Sequence, residues 1–128
     1  MTLEHPERLA PAHRLRSSRE YGAVKGAGVP IRGQHCLLLA LPCPGQVTKV
    51  GFIASKKGVG GAVQRNRARR RIREIVRRRW PRIPRVGFWL AFVAFRSAIT
   101  TSHQELATDV ERLLAEAGAL APIGSVAR

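Results

Sequence analysis

Between Gln64 and Arg79 the chain is committed to a helix with two unlike faces. Ala68, Ile72, Ile75 and Val76 recur at the i, i+4, i+7, i+8 spacing of one apolar stripe. At about 100° per residue, Asn66, Arg70, Arg73 and Arg77 collect on the back of the helix. Arg67, Arg71 and Arg78 lie along one flank and Arg69 on the other. Glu74 is the one acid in the stretch. It can pair with Arg70 or Arg78 one turn away, but it cannot neutralise the surface. A stripe this narrow docks on something apolar, and an arginine face this dense meets a polyanion. Pro81 and Pro84 forbid continuation, so the helix ends near Arg79. Ala62 to Arg79 makes a rod of about 27 Å.

The charge is concentrated there. The 128 residues carry 23 basic and 8 acidic side chains, a net charge of +15, with thirteen of the basic residues and a single acid between Lys56 and Arg85. Unpaired like charges destabilise a compact state, so a neutralising partner is the economical explanation. Nucleic acid fits it better than an acidic membrane surface. The rest is ordinary: 45% hydrophobic and 24% charged residues describe a globular core of one domain, not a disordered chain. Cys36 and Cys43 match no zinc or redox spacing and read as reduced thiols. Glu4, Glu7 and Arg8 leave no room for a signal-peptide core. The longest apolar run, Val86 to Phe95, is too short to span a bilayer. A cytoplasmic protein without membrane contact is expected.

In chain order, residues 1–13 read as a flexible basic and proline-containing arm, 14–118 as one RNA-binding domain and 119–128 as a tail. Ser17 and Glu20 form a capping box that starts a helix from Ser18 to about Lys25, stopped by Gly26 and Gly28. Gln34–Leu41 is a strand, and Pro42, Pro44 and Gly45 its turn. Thr48–Ser55 is a second strand, antiparallel to the first if the connection is a hairpin. Val86–Phe95, apolar at nearly every position, suits a central strand covered on both faces. Ser102 and Glu105 form a second capping box. The helix after it carries Leu106, Val110, Leu113 and Leu114 on one stripe, with Gly118 as its stop. The order α-β-β-α-β-α, with room for a further short strand, predicts an α+β sandwich.

Candidate chemistry is sparse. Asp109 is the one aspartate, the glutamates are scattered, and no histidine, cysteine and carboxylate cluster has metal-ligand spacing. No nucleophile-elbow motif occurs. No catalytic and no metal-binding residue is expected in the protein; any catalysis comes from the partner. Trp89 and Phe92 could stack on bases, but core positions are the simpler assignment.

The stretch Ser55-Lys56-Lys57 followed by Ala62-Val63-Gln64-Arg65-Asn66-Arg67-Ala68-Arg69-Arg70-Arg71-Ile72-Arg73-Glu74 resembles the protein subunit of bacterial ribonuclease P, whose family carries a Ser-Lys-Lys turn and an "RNR" helix. Arg14-Leu15 with Ser18-Arg19-Glu20-Tyr21, Gly51-Phe52-Ile53-Ala54 and Arg96 extend the likeness. The resemblance implies a two-layer sandwich similar to domain 2 of ribosomal protein S5, with a left-handed βαβ crossover against the usual hand. It implies a protein that binds the catalytic RNA of ribonuclease P and the 5′ leader of precursor tRNA. The RNA subunit removes the leader with Mg²⁺, held mainly by that RNA and the substrate. It implies no obligate protein partner. RNA contacts then fall to Lys56, Lys57, Arg65, Asn66, Arg67, Arg69, Arg70, Arg73 and Arg77. Leader contacts fall to Tyr21, Lys25 and Leu39, the last two standing where the family often has aromatics. Two further departures are visible: one extra residue between Lys57 and Arg65, and Trp89 where an acid is common. The rival expectation is a ribosome-associated or RNA-chaperone module with the same basic helix but no enzyme context.

Overall fold

The computed structural model describes residues 9–121. The ends of the expected arm and tail, 1–8 and 122–128, lie outside the described residues. Three α-helices and four strands appear in the order α1 (Ser18–Ala27), β1 (Val29–Arg32), β2 (Cys36–Val47), β3 (Lys49–Ile53), α2 (Ala62–Arg79), β4 (Val86–Ala94) and α3 (His103–Glu116). The strands form one mixed sheet in the order β1-β2-β4-β3. The additional short strand is β1, antiparallel to β2. No helix among the described residues is long and apolar enough to cross a membrane.

The hairpin expected between β2 and β3 is not formed. β4 sits between them, antiparallel to β2 and parallel to β3. The connection from β3 to β4 therefore runs through α2, which spans the sheet as a crossover. β2 also runs through Pro42 and Pro44, which sequence assigned to a turn. β1 covers β2 only as far as Ala40, so beyond it β2 has an open side. Proline lacks a donor and is tolerated on such an edge. The ladder to β4 shifts register between Cys43 and Val47.

Alternation along the strands divides the core. Cys36, Leu38, Val50, Leu90 and Phe92 face one side, where they meet the stripe Ala68, Ile72, Ile75, Val76 of α2 and Leu106, Val110, Leu113, Leu114 of α3. Burial of an Ile or Val from that stripe stabilises by about 1.5–3 kcal/mol, which pins the arginine face outward. Ala91 faces the other side, with Leu15 and Val24 of the α1 region and the half-buried Tyr21, Leu39, Leu41, Ile53 and Trp89. The two-layer expectation is thus incomplete, because α1 lies on the opposite face of the sheet from α2 and α3. Phe92 is fully buried core. β4 is central and buried on both faces near Leu90 to Phe92, as its composition demands.

Both capping serines act as expected: Ser17 Oγ accepts from Glu20 N–H at 3.1 Å and Ser102 Oγ from Glu105 N–H at 3.1 Å. The second box is one-sided. The Glu105 carboxylate instead accepts from the Thr101 hydroxyl at 2.7 Å. Residues 9–13, assigned to the arm, are held in place: Leu9 is buried in the main core, and Pro11–His13 forms a short 3-10 turn. Arg14 donates to the Leu9 carbonyl through Nε and Nη2 at 3.0 and 2.7 Å. At the other end Ala119 is buried and Ala121 N–H donates to the Arg82 carbonyl at 2.8 Å. Asp109 is a buried structural acid. It accepts from the backbone N–H groups of Gln34 at 3.0 Å and His35 at 2.8 Å, fixing the β1–β2 turn.

Candidate nucleic-acid interface

The loop between β3 and α2 is shaped by short-range contacts. Ser55 Oγ accepts from Gly58 N–H at 2.8 Å, and the Ser55 carbonyl accepts from Val59 N–H at 2.9 Å. Val59, 1% exposed, plugs into the core beneath the loop. Gly60 has φ +133°, a conformation side chains resist. Lys56 and Lys57 are left exposed on the outside of this turn. Gly61 is the N-cap of α2 and no side chain caps the helix, so its first N–H groups have no side-chain partner at the end of the turn that carries the two lysines.

Along α2 the arginines are not equivalent. Glu74 accepts from Arg77 Nη2 at 2.5 Å and lies 3.4 Å from Arg78 Nε. The Arg77 hydrogen bond, with the charges of Arg77 and Arg78, holds the Glu74 carboxyl below its ordinary range. Glu111 of α3 accepts two bonds from Arg79, at 2.9 and 2.7 Å, and lies 3.7 Å from Arg82. The C-terminal half of the helix is thus partly neutralised from within. Arg77, expected to protrude, is instead folded back onto an acid three residues away, an arrangement helical geometry favours.

The N-terminal half has no acid beside it among the ion pairs of the described residues. Arg67 and Arg70 are exposed and Arg69 half-buried. Arg73 is exposed, with its guanidinium 5.5 Å from the Phe52 ring centre. Asn66 Oδ1 accepts from Arg69 Nη2 at 2.5 Å, leaving the Asn66 amide donors outward. Arg65 is half-buried, and its Nε is shielded from water without an acceptor. Two arginines reach back to the 3-10 segment before α3. Arg71 donates to the carbonyls of Ala98 at 2.8 Å and Thr101 at 2.5 Å, and Arg67 Nε donates to Ile99 O at 3.2 Å. Burial, with the Arg67 charge, lowers the Arg71 pKa.

Around the outer edge of β3, which Arg14 and Leu15 bridge at Val50, two recesses join the arginine helix to α1. The larger, about 500 Å³, is lined by Arg16, Tyr21, Lys25, Phe52, Ile53 and Arg69 among others. The smaller, about 250 Å³, is walled by Arg14, Tyr21, Gly51, Phe52 and Arg73. Tyr21 lies flat on Gly51: a Cβ there would fall 2.6 Å from Tyr21 Cε1. Of the three expected leader residues, Tyr21 and Lys25 are brought together in the larger recess. Leu39 is not among its walls. It is half-buried on the same sheet face, with its Cβ 3.4 Å from where a side chain on Gly28 would begin. Arg14, Arg16 and Phe52 are wall residues that sequence reasoning missed. Nothing in the sequence indicated that Phe52 would lie on an edge strand of the sheet. Among the described residues no three His, Cys, Asp or Glu side chains come together to hold a metal ion.

Comparison with known proteins agrees with this architecture. The family described as Ribonuclease P matches residues 9–118. The chain is 38% identical over 113 residues to the ribonuclease P protein component of Symbiobacterium thermophilum, covering 88% of this chain and 96% of that protein. It is 38% identical over 106 residues to that of Dehalococcoides mccartyi, covering 83% and 85%. Among solved structures, the RNase P protein of Staphylococcus aureus is similar with a TM-score of 0.73, at 20% identity over 85% of this chain and 98% of that one. The RNase P protein from Thermotoga maritima gives 0.70, at 22% identity over 80% and 96%. These two likenesses establish the fold. With the family match over most of its length and relatives aligned nearly end to end, the chain belongs to the ribonuclease P protein family.

Proposed function

We propose that this chain, the protein component of ribonuclease P, lays the N-terminal half of α2 and the adjoining Lys56-Lys57 turn along the catalytic RNA. The observation that carries this is the uneven neutralisation of α2. Six cationic side chains that make no ion pair among the described residues, Lys56, Lys57, Arg65, Arg69, Arg70 and Arg73, run from the turn before the uncapped helix start through its first three turns, and Arg67 borders them. A structured RNA is bound through shape and backbone more than base edges, and guanidinium groups on a rigid helix suit phosphates. Asn66 supplies a neutral amide for one specific contact. Arg77 contributes less, being committed to Glu74.

The single-stranded 5′ leader of precursor tRNA is assigned to the recess beside Tyr21 and Lys25, where a phenol ring offers a stacking surface and Lys25, Arg16 and Arg69 offer charge. Leu39 supports α1 from below rather than touching the leader directly. Mg²⁺ does not fit residues of this cationic surface, and it is assigned to the RNA partner and the substrate phosphates. The β3–α2–β4 crossover is proposed to be left-handed, like domain 2 of ribosomal protein S5. The described core, extended to residues 9–121, is proposed as one RNA-binding domain acting in the cytoplasm.

Reconstitution tests the assignment. The chain added to precursor tRNA together with the catalytic RNA at low Mg²⁺ is expected to give 5′ cleavage that neither gives alone under those conditions. Cleavage by the protein without RNA, or none with both, would overturn it. The latter outcome would favour the RNA-chaperone alternative.

A further inference from the structure

α1 crosses the sheet and leaves an opening on each side. The first is the Tyr21 recess. The second, about 510 Å³, lies across the helix and is lined by Ser17, Arg19, Glu20, Ala23, Lys49 and Trp89. Lys49 and Trp89 are register partners on β3 and β4. The Lys49 ammonium stands 5.5 Å from the Trp89 ring centre and donates to Glu20 at 2.5 Å. The indole is half-buried, and its Nε1 is shielded from water with no acceptor. A tryptophan placed for packing alone usually has that N–H satisfied. Here an aromatic surface and two cations, Arg19 and Lys49, meet in an open recess lined by neither the Lys56-Lys57 turn nor α2.

The two openings are neighbours across α1. Arg16 and Ser18 line the first and Ser17 and Arg19 the second, so the N-terminal turn of α1 forms a short cationic saddle between them. Resting on the leader assignment above, we propose that the Trp89 recess is a second subsite for single-stranded RNA. A leader long enough to pass Tyr21 and Lys25 crosses the saddle and stacks one further base on Trp89. Its phosphate is taken by Lys49 and Arg19. Glu20 is the one acid facing the recess. Its pairing with Lys49 leaves the pocket without net negative charge and aligns the ammonium beside the ring.

The test measures holoenzyme affinity for precursor tRNAs with leaders of increasing length, against mature tRNA without a leader. The wild type is expected to gain affinity in two increments, the second only for the longer leaders. Trp89→Leu should abolish the second increment, about tenfold for one stacked base, and leave the first. Trp89→Phe should restore most of it. If the second increment survives Trp89→Leu, the subsite is wrong while the leader assignment stands. If the wild type shows no dependence on leader length, both fail together. A fluorescence readout covers the case in which Trp89→Leu does not fold. In Trp80→Phe holoenzyme Trp89 is the remaining tryptophan, since the chain has two. Its emission should be quenched by long leaders and unchanged by short ones; equal response to both overturns the proposal.

Discussion

The division of α2 into a bare half and a neutralised half can be measured through salt. Each phosphate contact releases condensed counterions, so log K falls with log salt by somewhat under one unit per contact. About six contacts from the Lys56-Lys57 turn and Arg65 to Arg73 give a slope of roughly −5, or about a thousandfold loss of affinity between 50 and 200 mM salt. Arg70→Ala with Arg73→Ala removes two exposed guanidiniums that have no acid partner among the described residues. The slope should fall to roughly −3.5, and the loss over the same range to about a hundredfold. Arg77→Ala with Arg79→Ala removes the same formal charge from residues already bonded to Glu74 and Glu111. Its slope should stay within about half a unit of wild type. The assay is equilibrium binding of labelled catalytic RNA at several salt concentrations with fixed Mg²⁺, alongside melts that verify folding of each variant. A slope near zero in the wild type would contradict phosphate binding altogether. A C-terminal pair that changes the slope as much as the N-terminal pair would refute the internal-neutralisation argument.

Three further outcomes are expected. Asp109→Ala strands the Gln34 and His35 N–H groups and should cost about 3 kcal/mol, seen as a melting temperature lower by roughly 10 °C; a cost below about 1 kcal/mol would mean the turn does not depend on this acid. The Lys49 hydrogen bond, with the Arg16 N–H, lowers the Glu20 pKa to about 2 from about 4.3 when unfolded. The pair's stabilisation is therefore complete above the unfolded value and lost as pH falls from about 4 towards 2. It amounts to about 1 kcal/mol after solvent screening. Glu20→Gln should flatten this part of the stability-versus-pH curve, and an unchanged acid limb would exclude the linkage. Gly51→Ala drives a methyl into Tyr21. It should reduce discrimination between precursor and mature tRNA about tenfold, for a stacking loss of about 1.4 kcal/mol, while leaving affinity for the catalytic RNA unchanged. Equal losses against both RNAs would point to general unfolding instead.

What sequence could reveal follows the range of the interactions involved. The buried stripe of α2, the stripe of α3 and the capping serines depend on residues within one or two turns, and each is where periodicity placed it. The Ser-Lys-Lys turn and the Arg65-Asn66-Arg67 stretch are local for the same reason. The position of β4 between β2 and β3 is not local. Its basis is the cover that α2 and α3 provide, and a short β2–β3 connection reads as a hairpin until that cover is known. Pro42 and Pro44 read as a turn because an open strand edge is invisible in one dimension. The pairing of Arg79 with Glu111 bridges 32 positions and that of Lys49 with Glu20 bridges 29, so neither leaves a spacing to detect. Asp109 looked isolated because its partners are backbone N–H groups 74 and 75 positions away, which every sequence possesses. Charge counting treats Arg77 like its neighbours for the same reason: the count is set by composition, whereas pairing with Glu74 is set by the fold of the side chains.

The buried Val59 has a consequence for association. A glycine-flanked turn would ordinarily be free to wander, and immobilising each of its residues on contact with RNA would forfeit about 1–2 kcal/mol of backbone entropy. Anchoring the middle of the turn in the hydrophobic interior settles that loss when the protein folds. On the proposed assignment, the backbone that carries Lys56 and Lys57 then meets the RNA already ordered, so that more of their attraction survives as binding free energy.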